Sequence, residues 1–306
     1  MDKKEQLLQK AMIHKLLNEN NIYNEFRKYN LNSFLENIDK NDISLAFRNI
    51  LLETNIVNEQ ENRINGFLEY FSKKKDPHEV FLEKLDIRFL DYIKNNQNIS
   101  LEKLFDDEIP SAIISIDIRK STELMLKAKN PLDFSMFITK LIDEMINIIE
   151  KNYGIIEKFT GDGLLAFFPE FYSENDCCSY AINSAIECHE MFIKNYHDSY
   201  KHFIALPSNT GLSIGIDYGD IIIKAIKNSI NIIGRPVVYA CRLGSIDADK
   251  TAINIGAYEN IKKKYPKTIF YPEILDLKTG EKLYCYSIKE KINILSEPNW
   301  LNELPL

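Results

Sequence analysis

Two apolar runs in this 306-residue chain each end on an aspartate, and that pairing constrains the fold more than any other feature. The first, SAIISID, reads from Ser111 to Asp117. The second, IIEKFTGDGLLAFFP, runs from Ile155 to Pro169 and is broken by Gly161-Asp162-Gly163. Short apolar runs bounded by turn residues predict buried strands, so the first segment reads as one strand and the second as strand, tight turn, strand. Asp-Gly is a favoured turn pair, and an aspartate after a strand can cap the next helix. A carboxylate at the end of a buried strand is also costly unless it is paired or holds a cation. The residues alone leave both readings open.

The segments between and after these runs supply helices. NPLDFSMFITKLIDEMINIIEKNYG predicts a long helix with Asn130 as N-cap, Pro131 at its first position and Gly154 at its C-terminal cap. A second helix is expected over about 175–196, with Ala181, Ala185, Cys188 and Phe192 on one face. TGLSIGIDYGDIIIKAIK reads as a hairpin turning at Gly219-Asp220. A short helix opened by Pro236, a strand (TAINIG), a helix (AYENIKKKYP) and a last strand (EKLYCYSI) follow. The expected class is α+β, ferredoxin-like, a mostly antiparallel sheet with helices packed on it. Residues 1–105 read differently. Amphipathic stretches such as KEQLLQKAMIHKLLNENN and the near absence of glycine predict an all-helical region for dimerisation or regulation, followed by the α+β domain over 106–306.

In a strand-helix-hairpin unit the first strand lies beside the hairpin. Asp117 and Asp162 then converge on one edge, and paired carboxylates suit magnesium or manganese, with phosphates and water completing the shell. RKST, from Arg119 to Thr122, brings Arg119, Lys120, Ser121 and Thr122 to a helix start, where backbone N–H groups favour an anion. The net charge of −7 excludes a broad basic field and argues against nucleic acid as a partner. There is no apolar signal segment and no run of membrane-spanning length, and five cysteines without zinc spacing fit reduced thiols in the cytoplasm.

Four segments in order, SIDIRKST, EKFTGDGLLAFF, GLSIGIDYGDIII and IIGRPVVYACRLGS, resemble the class III nucleotide cyclases. The resemblance runs from about Ser111 to Ile288. It implies that Asp117, Ile118 and Asp162 hold two divalent ions, Mn2+ or Mg2+. It also implies that a nucleoside triphosphate is converted to a 3′,5′-cyclic nucleotide and pyrophosphate, with no covalent intermediate. Arg242 falls at the position of the transition-state arginine, and Lys158 and Asn231 fall at the base-contacting positions. The expected phosphate contacts are Arg119 to Thr122, Arg235 and Lys282. Two positions depart from the family pattern: Val238 stands where an asparagine orients the ribose, and Tyr284 stands near the usual lysine. The resemblance implies a homodimer with sites at the interface. In overall plan the chain looks like the bacterial pyrimidine cyclases, which make cyclic UMP or cyclic CMP as an antiphage signal. An adenylate cyclase and a catalytically silent nucleotide-binding or scaffold domain are the alternatives.

Overall fold

The computed structural model describes residues 81–95, 105, 107–226, 229–277 and 280–301. The helical region expected over 1–105 therefore lies mostly outside the described residues. Its described part contains helix α1 (Ile87–Asn95). In chain order there follow β1 (Ile109–Arg119), α2 (Ser121–Lys127), α3 (Pro131–Lys151), β2 (Ile155–Phe159), β3 (Leu164–Pro169) and α4 (Cys177–Asp198). The second half supplies β4 (Gly211–Ile226), β5 (Ser229–Ile233), α5 (Arg235–Leu243), β6 (Lys250–Ile253), α6 (Ile255–Lys264), β7 (Tyr271–Asp276) and β8 (Lys282–Ser287). The strands form one mixed sheet in the order β2-β3-β1-β4-β6-β8-β7, with β5 paired to the far part of β4. Only the β4–β6 pair is parallel among the described strands. This is the α+β, mostly antiparallel arrangement that the sequence predicts.

β1 is central and buried on both faces, which is why its sequence is a continuous apolar run without alternation. Ala112, Ile114, Ile116 and Ile118 pack under α3 and α4, against Leu141, Met145, Ala181 and Ala185. Ile109 and Ile113 face a second cluster that includes Phe81, Leu85, Phe89, Ile221 and Trp300. Trp300 Nε1 donates to the Tyr172 carbonyl at 2.8 Å, and the Trp300 and Tyr172 rings stack at 5.3 Å. The segment from residue 81 thus covers one face of the sheet.

Helix α3 starts as predicted: the Asn130 side chain accepts the Asp133 N–H at 3.0 Å, and Pro131 opens the first turn. It ends differently. Tyr153, not Gly154, takes the left-handed conformation, at φ 61°. Gly154 is needed for closeness instead, because a Cβ there would lie 2.5 Å from Ile149 Cγ2 and 2.7 Å from the Phe168 ring. α4 carries Ala181, Ala185, Cys188 and Phe192 to the core as expected.

Two strand readings are corrected. The expected turn at Gly219-Asp220 is not formed: β4 continues through both residues, paired with Ser111 and Pro110 of β1. The chain turns back between Ile226 and Ser229, and residues 229–233 form the returning strand. Gly219 sits against Pro236, whose Cγ would be 3.2 Å from an added Cβ, so the glycine serves the packing of α5. β7 was not foreseen at all. It is an edge strand with largely exposed side chains, and its sequence, YPEILD, lacks a core-facing run. All five cysteines are free, and four are buried. Among the described residues, no helix is long and apolar enough to cross a membrane.

Candidate active site

The position of Asp117 follows from where two ladders stop. β1 pairs with β3 only as far as Ile116 opposite Leu164, whereas its pairing with β4 runs on to Arg119 opposite Gly211. From Asp117 onward, β1 is free of the β3 ladder. The gap is filled by the β2–β3 turn, closed by the Thr160 N–H donating to the Gly163 carbonyl at 3.0 Å. Gly161 holds the left-handed φ of 94° that lets the turn close. Gly163 then passes so close to β1 that a Cβ would meet the Ile116 carbonyl oxygen at 2.1 Å and Asp117 Cα at 3.1 Å.

This approach brings Asp162 up to Asp117. The carboxyl group of Asp117 is held above its ordinary range, first by burial and then by the negative charge of Asp162. Arg119 and the Ile118 N–H act in the opposite direction. The expected convergence is present. Arg119 is less available: its guanidinium lies 3.5 Å from Asp117 Oδ2 but donates to the carbonyls of Ile246 at 2.8 Å and Gly244 at 2.6 Å. It fastens the loop after α5 to the end of β1. Lys120 takes a left-handed φ of 62° and turns the chain directly into α2, so that Ser121 and Thr122 begin the helix beside Asp117.

A divalent cation fits this donor set. Two carboxylates oppose one another, and only one partial counter-charge is present. Among the described residues, no group of three or more His, Cys, Asp or Glu is placed to hold a metal. Two aspartates and the Ile118 backbone oxygen would therefore leave the remaining coordination positions to water and substrate oxygens, as magnesium and manganese prefer.

The other predicted residues are held elsewhere in the chain. Lys158 is exposed on β2, with Nζ 3.3 Å from Glu157 Oε1. Asn231 lies on β5 opposite Lys224, and its amide donates to Ser229 Oγ at 3.1 Å. The strands that carry them, β2 and β5, are in contact. Arg242 projects from α5 toward Glu281, at 3.8 Å, and toward the Tyr239 ring. Arg235 lies over the same ring, 5.1 Å from its centroid. Lys282 stands on β8, three strands from β1, 3.9 Å from Asp276. Val238 and Tyr284 are exposed, the latter 71%.

Glu157 and Lys84 were missed by sequence reasoning. The signal for Glu157 was a lone acid at a core-facing position of an apolar strand. Lys84 carried none, since its contact spans 72 residues.

No protein-family model matches the chain, and no curated protein does. Solved structures do. The adenylyl cyclase CyaB from P. aeruginosa is 21% identical and superposes at a TM-score of 0.53, with 62% of this chain covering 98% of that one. The guanylyl cyclase Cya2 is 17% identical at the same TM-score, with 62% of this chain covering 97% of that one. At such identities the likeness is one of architecture: the described part of the chain has the fold of adenylyl and guanylyl cyclase domains.

Proposed function

We propose that the protein is a nucleotide cyclase that closes a nucleoside triphosphate to its 3′,5′-cyclic monophosphate and releases pyrophosphate. The observation that carries this reading is the meeting of Asp117 and Asp162 where the β1–β3 ladder ends, on a cyclase fold. These carboxylates, with the Ile118 carbonyl, would hold two divalent ions, manganese or magnesium. When bound, the ions would lower the charge on the triphosphate and favour ionisation of the 3′-hydroxyl.

The chain's own residues divide the remaining work. The N–H groups of Ser121 and Thr122, with Lys120, face the phosphates, and Arg235 and Lys282 add positive charge. Arg242 offsets charge developing at the α-phosphorus. Lys158 and Asn231 read the base. We read the assembly as a homodimer in which one copy supplies the carboxylates and the other the arginine and base contacts, as the resemblance implies. The region over 1–105 is then the dimerisation or regulatory part.

For the base we favour uracil, then cytosine, which would make the product a cyclic UMP or cyclic CMP signal in antiphage defence. Lysine only donates and asparagine both donates and accepts, a pair that serves uracil, cytosine or adenine alike, so this preference rests on the resemblance in overall plan. A silent nucleotide-binding domain is the second reading, favoured by exposed Val238 and Tyr284 at positions where the resemblance expects asparagine and lysine. Incubating the purified protein with each of the four triphosphates and manganese, with products read by mass spectrometry, separates these readings. Cyclic UMP or CMP is the expected product. Cyclic AMP alone overturns the pyrimidine assignment, and no product beside an active control cyclase leaves the silent reading.

A further inference from the structure

Glu157 is a charged residue in apolar surroundings, and the chemistry above gives it no task. Its side chain is 1% exposed. It sits at the register shift between Ile156 and Lys158, where β2 steps out of regular pairing with β3. Such bulges re-aim side chains. Oε1 lies 3.3 Å from Lys158 Nζ. Oε2 is buried and has no hydrogen-bond partner. Lys84, whose Nζ donates to the Ile156 carbonyl at 2.5 Å, adds a second positive charge nearby. Buried Ile155, Ile230 and Ile232 belong to the same side of the sheet.

For stability alone, this is a poor residue. A buried carboxylate with one unpaired oxygen is destabilising, and a neutral or apolar side chain of similar size commonly serves a fold better. Its carboxyl group is held above the ordinary range, chiefly by burial. Its distinctive property is its position, at the bulge of β2 and beside the Lys158 ammonium.

We propose that Glu157 is a positioning residue for base selection, fixing the Lys158 ammonium on β2 in one arrangement. This rests on the reading of Lys158 and Asn231 as base contacts of a triphosphate site. A lysine on four methylenes has many rotamers, and an adjacent fixed carboxylate narrows where its charge can sit. Bases differ in the spacing of their donors and acceptors, so discrimination requires the reading groups to be held at a set separation.

The test uses the full chain and 3′-deoxy analogues of ATP, GTP, CTP and UTP with manganese, titrated by calorimetry so that binding is read without turnover. The variants are Glu157→Gln, Glu157→Asp, Lys158→Met and the Glu157→Gln/Lys158→Met double. Glu157→Gln is expected to cut the ratio of Kd values between worst and best base about tenfold. Its Tm should be no lower than that of wild type. Glu157→Asp, which keeps the charge, is expected to recover part of the preference. In the Lys158→Met background, Glu157→Gln should add no further loss, since both act through one group. The proposal is overturned if Glu157→Gln keeps the wild-type preference. Equal weakening of all four analogues with a lowered Tm in both backgrounds overturns it as well. Those failures leave the triphosphate site standing. Wild-type protein that binds none of the four analogues overturns that reading and this proposal together.

Discussion

Gly163 lies against Asp117 with no room for a side chain: a Cβ at 163 would be 3.1 Å from Asp117 Cα and 2.1 Å from the preceding carbonyl oxygen. The β2–β3 turn and the end of β1 are therefore locked together by backbone contact, and the two carboxylates inherit their proximity from it. Gly163→Ala must push the turn away from β1. A stability loss of about 1–3 kcal/mol is expected, the usual cost of overpacking, together with a loss of activity larger than the unfolded fraction explains. Thermal denaturation and product formation on the same sample check this.

The same proximity makes the metal-free site repulsive, since the charge of Asp162 opposes that of Asp117. Asp162→Asn should leave the metal-free Tm equal to or above that of wild type. Manganese should raise the Tm of wild type in a concentration-dependent way and leave the variant's unchanged. A manganese response of equal size in both proteins would place the cation elsewhere.

His189 provides a pH test away from the site. Nε2 meets Thr251 Oγ1 at 3.0 Å, while Nδ1 is buried without a partner. Burial lowers the imidazole pKa from 6.5 to about 4. Between these values the unfolded chain binds the proton and the folded chain does not, so stability falls as pH falls. The contribution lost from pH 7 to pH 4 is on the order of 2–3 kcal/mol. Asp117, Glu157 and Asp217 have raised carboxyl pKa values and act in the opposite sense. The readout is therefore the difference between wild type and His189→Gln in chemical denaturation, which should shrink toward acid pH. A constant difference would mean that the ring is not kept neutral by burial.

Arg242 is exposed and meets Glu281 and the Tyr239 ring at the surface, contacts worth little to stability, so Arg242→Ala should keep a Tm near that of wild type while cutting product formation on the order of a hundredfold or more, as for other removed transition-state donors. If carboxylates and arginine come from different copies, mixing this variant with Asp162→Asn should restore roughly a quarter of wild-type activity, from random pairs that carry one intact site. A mixture no more active than its parts would mean that each chain completes its own site.

Much of this architecture was legible because burial leaves a plain mark. β1 and β3 are apolar on both faces, so their runs and the turn glycines and aspartates at their ends stand out in the sequence. The same reasoning failed at Gly219-Asp220, since glycine marks close packing as readily as a turn and Pro236 is the neighbour that requires it. β7 escaped notice because an exposed edge strand needs no apolar pattern. At the site, Asp117 and Asp162 were visible from position alone. The roles given to Lys158, Asn231 and Arg242 came from resemblance, and Glu157 emerged only when the structure showed it buried beside Lys158.

The central claim is that Asp117 and Asp162 together support cyclisation of a nucleoside triphosphate. Its most direct measurement is the stoichiometry of product and pyrophosphate from wild type and from Asp162→Asn, with manganese and each of the four triphosphates. Wild type should yield one 3′,5′-cyclic nucleotide per pyrophosphate from its preferred substrate, and the variant should fall by about a hundredfold or more. A linear nucleotide product, or an Asp162→Asn variant with the full wild-type rate, would contradict it.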